Sequence, residues 1–288
     1  MSTATSTGTK SPAPGPAPSV QPSGRGEGRI GLRANLRHIG ALVRRNALQI
    51  KQDPESMMDA LLMPIVFTLL FVYVFGGAIG GGGGAHRDQY TNYLMPGMMA
   101  MMGLNIAMAV GTGIQEDFHK GVMDRFRSMP IARSSVLTAK VVVEIGRMLV
   151  AIAVLLTVGF LVGLDIHGRW LGLLAAVGLT TVFATSLLWI FMLLGLTVRT
   201  AQAVQGVSFL VLMPLQFASS IFVPPKTMPG WLKSFTDVNP LTNVADAARG
   251  LMLGHGEVGD PVLWTLVWSA GLTVLTAPLA IAKFRRKV

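Results

Sequence analysis

Six long stretches of this 288-residue chain, 57–75, 93–114, 141–164, 171–198, 203–223 and 262–282, carry almost no ionisable side chain. A helix needs about 20 predominantly apolar residues to cross a hydrocarbon core about 30 Å thick. Six such segments exclude a soluble enzyme and predict an all-α polytopic membrane protein with six transmembrane helices. Charge agrees: only 13% of residues are Asp, Glu, Lys or Arg, against about 25% in a soluble domain. There is no cysteine, which removes disulfide frameworks, thiolate metal sites and cysteine nucleophiles. His38, His86, His119, His167 and His255 are not at metal-ligand spacing, so neither a metal site nor a catalytic group is expected.

The flanking segments are of a different character. Residues 1–28 are rich in Ser, Thr, Pro, Gly and Ala, a composition that buries too little apolar surface to offset ordering entropy, and they read as a disordered cytoplasmic tail. Over 29–53, Leu32, Leu36, Ile39, Val43 and Ile50 fall near one helix face, with Arg33, Arg37, Arg44, Arg45 and Lys51 largely elsewhere. That is an amphipathic interfacial helix on anionic headgroups, or a solvated helix packed on a neighbouring domain. Asp53-Pro54 then breaks it.

Placing the connections on alternate sides of six spans puts 19 of the 24 Lys and Arg residues on one side and five on the other. The richer side is the cytoplasmic one, so both termini are expected there, including a basic tail at 283–288. This distribution accounts for the net charge of +10 without nucleic acid. Tyr73, Tyr90, Tyr93, Trp170, Trp231 and Trp264 fall at or beyond outer ends of spans, where amphipathic rings prefer the headgroup level. Trp189 and Trp268 do not fit that belt and read as packing residues.

The residues provide no fuel for transport. The run Gly80–Gly84 lacks the Lys-Ser/Thr that completes a phosphate loop and reads as an external linker. The middles of the spans hold no ionisable residue of the kind an ion-coupled carrier keeps there. Asp59, Glu144 and Arg147 lie near cytoplasmic ends, and Lys140, Glu144 and Arg147 share one helix face on which the carboxylate is neutralised. The inner connection 115–133 mixes both charge signs with Phe118, Met123, Phe126 and Met129, between Gly121 and Pro130. It is either a short helix docking its aromatics into a partner's groove or a solvated loop on the membrane face.

Outside, Asn239 is placed to cap a helix starting at Pro240 and ending at Gly254. Leu241, Val244, Ala245, Ala248, Leu251 and Met252 give that helix an apolar face. With 228–235 it suggests a re-entrant helical hairpin between spans five and six. Mid-span, Asn105 lies among Met98, Met99, Met101, Met102 and Met108, while Phe209, Met213, Gln216 and Phe217 mark the fifth span with Ser208 and Ser219. Thioethers and rings suit a surface for varied planar apolar ligands, and at helical spacing they equally suit plain packing. Pro64, Pro214 and Pro278 are candidate flex points within spans.

Three runs carry a resemblance. They are Asp124-Arg125-Phe126-Arg127-Ser128-Met129-Pro130 continuing to Lys140; Phe222-Val223-Pro224-Pro225-Lys226 through Trp231, with Asn239-Pro240-Leu241-Thr242 and Ala248-Arg249-Gly250-Leu251; and Asp59-Ala60-Leu61-Leu62-Met63-Pro64. In order, from about residue 33 to the C-terminus, the chain resembles the type-2 ABC exporter permeases, closest to the daunorubicin/doxorubicin-resistance membrane subunits of actinobacteria.

The resemblance implies a non-catalytic permease of the bacterial cell membrane. It pairs with a second copy of itself, with two copies of a cytoplasmic ABC ATPase that holds ATP and magnesium, and with membrane lipids. It implies Glu116, Phe118, Asp124, Arg125 and Phe126 as residues coupling to the ATPase. The second and fifth spans become the pathway, with Met101, Asn105, Met108, Phe209, Met213, Gln216 and Phe217 as candidates, and Trp231, Asn239, Pro240 and Arg249 belong to an external gate. The expected cargo is an amphipathic, drug-like molecule. Lipid, lipid-linked glycan or polysaccharide is the alternative, and an ion-coupled carrier or a membrane scaffold are rivals outside the class.

Overall fold

The computed structural model describes residues 54–76, 84–121, 133–254, 256 and 258–287. The tail 1–28, the helix expected over 29–53, Gly80–Gly83 and the coupling candidates Asp124, Arg125 and Phe126 lie outside these residues. Every regular element among the described residues is helical. In chain order these are α1 (Pro54–Leu70), prolonged by a π turn over Phe71–Phe75, α2 (Gly84–His119), α3 (Arg133–Val162), α4 (Trp170–Thr197) and α5 (Ala201–Phe217). A 3₁₀ turn at Pro225–Thr227 leads to α6 (Gly230–Val238), α7 (Pro240–Leu253) and α8 (Gly259–Lys287).

Four of these helices, α2, α3, α4 and α8, are long and apolar enough to cross a bilayer; the apolar part of α1, Leu61–Val74, and α5, Ala201–Phe217, are shorter. The expected fifth span, 203–223, therefore differs from the observed helix, which stops six residues early. Pro214 sits one turn before the end of α5, and the residues that follow find side-chain partners in place of helical ones, as described below. At the other end of the chain α8 carries its helix through Arg285, Arg286 and Lys287, so these basic residues form a last turn, where cations oppose the helix dipole favourably.

The hydrophobic centre is α2. It packs on α4, α7, α3, α5 and α1, while α4 also packs on α8 and α7. Leu94, Met95, Met98, Met99, Met102, Leu104 and Ile106 are fully buried along α2. By contrast, α8 leaves Leu263, Trp264, Val267, Val274, Leu275 and Leu279 exposed, as a helix facing lipid does. Trp189 and Trp268 pack against the core, in line with their expected packing role.

The α2–α4 crossing depends on two glycines. A Cβ on Gly195 would lie 2.3 Å from the Gly111 carbonyl oxygen, and one on Gly111 would lie 2.7 Å from that of Phe191. Where helices have no hydrophobic drive toward each other, such close backbone approach supplies the packing. We predict that Gly195→Leu forces α2 and α4 apart and costs about 1–3 kcal/mol or more, as overpacking does. A lower unfolding midpoint of the purified protein in detergent checks this, with Gly178→Leu, where nothing lies within 4 Å, as the control.

Candidate functional site

A helix end inside a bundle leaves carbonyls without partners, and each must be satisfied in another way. The carbonyls after α5 are taken up one by one. Asn239 Nδ2 donates to Leu215 O and Ala218 O, both at 2.8 Å, and Thr236 Oγ1 donates to Ala218 O at 3.2 Å. Arg249 Nη2 donates to Ser220 O at 2.6 Å and to Ile221 O at 3.2 Å. Tyr93 Oη donates to Ser220 O at 2.6 Å, and Tyr90 Oη to Phe222 O at 3.3 Å. The Ser220 amide donates to Thr242 Oγ1.

Arg249 is the hub of this clamp. Its Nε donates to Tyr93 O at 2.8 Å, its Nη1 to Ser220 Oγ and Asp246 Oδ1, and its guanidinium lies 3.8 Å from the Tyr93 ring centre. The residue is 8% exposed. A planar fork with five N–H donors can join two helices and a turn in this way; a lysine, with a single ammonium, cannot.

The local sequence explains why Arg249 arrives there. Asn239 Oδ1 accepts from the Leu241 amide at 2.9 Å, Pro240 occupies the first helical turn, and Gly254 closes α7 with φ +71°. All three features match the expected caps. Leu241, Val244, Ala245, Ala248 and Met252 are fully buried, which sets α7 against α2, α4 and α8 and turns Arg249 toward the end of α5. Of the four gate candidates, Asn239, Pro240 and Arg249 meet at the break. Trp231 stands apart, 75% exposed on α6.

Around the C-terminal end of α2 a second group assembles. Lys140 Nζ lies 2.8 Å from Asp117 Oδ2 and bridges α3 to α2, while Gln115 Nε2 donates to Arg199 O in the α4–α5 turn. The expected trio on α3 is thus divided: Arg147 faces Glu144 at 3.3 Å, and Lys140 serves another helix. Glu116 is exposed beside Lys120. Phe118 is half-buried, its ring edge-on to Phe284 at 6.1 Å with Lys287 Nζ 5.3 Å from its centre.

The pathway candidates separate by helix. On α2, Met101 is buried in the core, and Asn105 and Met108 are partly buried. On α5, Phe209, Met213 and Phe217 are 61%, 45% and 57% exposed, with Gln216 partly buried. Phe217 stacks on Phe222 at 5.4 Å, Phe222 on Phe71 at 4.8 Å, and Phe67 lies 6.3 Å from Phe71. The rings form a ladder from α5 to the π turn of α1. Sequence reasoning missed Tyr90, Tyr93, Ser220, Thr236 and Asp246 as parts of the clamp. The two tyrosines carried a signal, one helical turn apart beside an outer span end, and it was read as an interfacial belt.

Comparison with known proteins places the chain among transporter permeases. The family model described as ABC-2 type transporter matches residues 37–253. The daunorubicin resistance ABC transporter permease protein DrrB1 of Streptomyces coeruleorubidus is 37% identical over 243 residues, spanning 84% of this chain and 84% of that protein. The probable doxorubicin resistance ABC transporter permease protein DrrC of Mycobacterium tuberculosis is 25% identical over 240 residues, 82% of this chain and 83% of that one. The probable multidrug ABC transporter permease YbhR of Escherichia coli is 23% identical over 204 residues, 69% and 54%.

Arg249→Met takes the side-chain donor from the Ile221 carbonyl and leaves the Ser220 carbonyl to Tyr93 Oη, at an expected cost of about 3 kcal/mol. Arg249→Lys should recover little of it. Limited proteolysis within 218–224, together with thermal unfolding in detergent, reads both changes; an unaltered cleavage rate in Arg249→Met would contradict the clamp.

Proposed function

The chain belongs to the ABC-2 type transporter family, and from that premise we propose that it is the transmembrane permease subunit of an ATP-driven exporter in a bacterial plasma membrane. It moves an amphipathic, drug-like molecule outward. The observation that carries this reading is the 37% identity to a daunorubicin-resistance permease across 84% of both chains. ATP and magnesium belong to a separate nucleotide-binding subunit, two copies of which pair with two permeases, each with both termini in the cytoplasm.

Each part of the chain has a task in that cycle. Closure of the ATPase dimer pushes on the segment after α2, where Glu116, Phe118, Asp124, Arg125 and Phe126 make the contact. Long α2 carries the displacement toward its outer end, where Tyr93 and Arg249 hold the break after α5. Asn239, Pro240 and Arg249 belong to the external seal, with Trp231 on its exposed rim. The exposed Phe209, Met213 and Phe217, beside Gln216 and the aromatic ladder, offer rings and a thioether to a flat apolar ligand. Asn105, Met101 and Met108 line the α2 side as α2 and α5 shift.

The Glu144–Arg147 pair at 3.3 Å favours a chain driven from outside over an ion-coupled carrier. Both groups lie near the start of the apolar stretch Leu137–Val162, whereas an ion-coupled carrier keeps its ionisable residues mid-membrane.

Two outcomes test the reading. Inside-out proteoliposomes holding this chain and its ATPase should accumulate daunorubicin with ATP and magnesium, and a proton or sodium gradient imposed on the chain alone should drive no uptake. Combined Phe118→Ala and Phe126→Ala should weaken ATPase association by about 2–4 kcal/mol, the scale of a hot-spot truncation, read as loss of co-purification. Full co-purification would remove the docking role.

A further inference from the structure

Among the described residues the inner end of α2 is gripped at three points, and only one grip is made by side chains packed ring to ring. The Phe118 ring meets Phe284 edge-on at 6.1 Å. Phe284 is 1% exposed and belongs to the hydrophobic core, although it lies four residues from the C-terminal Val288, in the last turn of α8. Lysines and arginines surround it in sequence: Lys283, Arg285, Arg286 and Lys287. A last helical turn rich in cations ordinarily faces water. Here one aromatic ring pins it beneath the bundle, and Lys287 Nζ sits 5.3 Å from the centre of the Phe118 ring.

The position of that pin matters. Phe118 is three residues before Gly121, whose φ of +66° ends the described part of the inner segment. α8 in turn packs on α4 and on α7, the helix that carries Arg249. A push on the inner segment therefore meets two helices at once, α2 through the backbone and α8 through the Phe118–Phe284 contact. Without the second, α2 loses its ring contact with α8 and keeps its ties to α3 and to the α4–α5 turn.

We propose that Phe284 is a positioning residue for coupling: it holds Phe118 against the end of α8, so that displacement of the inner segment moves α2 and α8 together. The inference rests on the exporter reading above and adds a residue at the far end of the chain. Phe284 does not itself touch the ATPase or the cargo. Its loss should leave the ATPase bound and hydrolysing while less cargo moves per ATP.

The test uses the whole permease–ATPase complex in proteoliposomes, with daunorubicin as probe and phosphate release measured in parallel. Phe284→Ala should lower daunorubicin moved per ATP about fivefold or more, the lower range of contact coupling, with ATPase co-purification unchanged. Phe284→Tyr, which keeps a ring, should restore the ratio. Phe118→Ala and Phe284→Ala together, with the ATPase supplied at saturating concentration so that the complex stays assembled, should lower that ratio no further than Phe118→Ala alone under the same condition, because both break the same contact. A preserved ratio in Phe284→Ala, equal loss of ATPase binding, or multiplicative losses in the double variant would each overturn the proposal. If the wild-type complex hydrolyses ATP without moving the probe, the exporter reading fails first. The inference is then decided by permease-stimulated hydrolysis, which Phe284→Ala must lower non-additively with Phe118→Ala.

Discussion

The structure depends on how the backbone polar groups after α5 are satisfied. Seventeen residues make a helix of about 25 Å, short of the roughly 30 Å of hydrocarbon. In the six-span reading proposed for the chain, the rest of that crossing falls to a non-helical segment. Irregular backbone at membrane depth is tolerated only where protein covers it and supplies the missing hydrogen bonds. Arg249, Asn239, Tyr90, Tyr93 and Thr236 do that. Because they come from α2, α6, α7 and the α6–α7 junction, satisfying this one segment fixes where α7 lies and how deeply it is buried. The burial of Leu241, Val244, Ala245 and Ala248 then follows from the same placement.

Helix α2 connects that clamp to the inner face. Its 36 residues span about 54 Å, with polar ties at both ends and soft, fully buried methionines between them. Tyr93 bonds the break at one end; Asp117 pairs with Lys140 at the other. A helix tied at both ends can transmit displacement, with Pro96 beside the Tyr93 end as a point of flexure, while thioether side chains let the surrounding helices adjust to it without leaving voids. The close Gly111–Gly195 approach keeps α4 against this helix near its C-terminal half. In the proposed exporter this combination makes a segment outside the membrane and a seal on the opposite face parts of one mechanical element.

What could be read from the sequence followed the physics of each signal. Asn239, Pro240 and Gly254 delimit α7 because capping is local: a side chain answering an amide two residues away needs no tertiary information. The long apolar helices were equally plain, since their lengths are set by the bilayer. Partners were harder. Lys140 has carboxylates within reach on its own helix and across at Asp117, and only the approach of α2 decides for the latter. The methionines of α2 look the same whether they face a ligand or a neighbour; Met98, Met99 and Met102 are fully buried. The early end of α5 was hidden because Ala218–Val223 is apolar enough to continue a span, and the donors that stop it come from residues far along the chain.

The same reasoning bears on where force can enter. Arg147 stands 3.3 Å from Glu144, so the carboxylate deepest in α3 is already ion-paired. Asp246, beside Arg249, is likewise occupied in holding the clamp. These charges are spent on structure, and freeing either would leave an opposite charge buried without its partner, a penalty of several kcal/mol. An ion gradient acting through them would have to overcome that penalty in every cycle. Displacement of the His119 end of α2 separates no fully buried charge pair, because the ties there are the partly exposed Asp117–Lys140 pair, the Gln115 bond to the α4–α5 turn and a ring contact. In the proposed exporter this arrangement of charge fits work delivered by another protein at the His119 end of α2 better than work drawn from within the membrane.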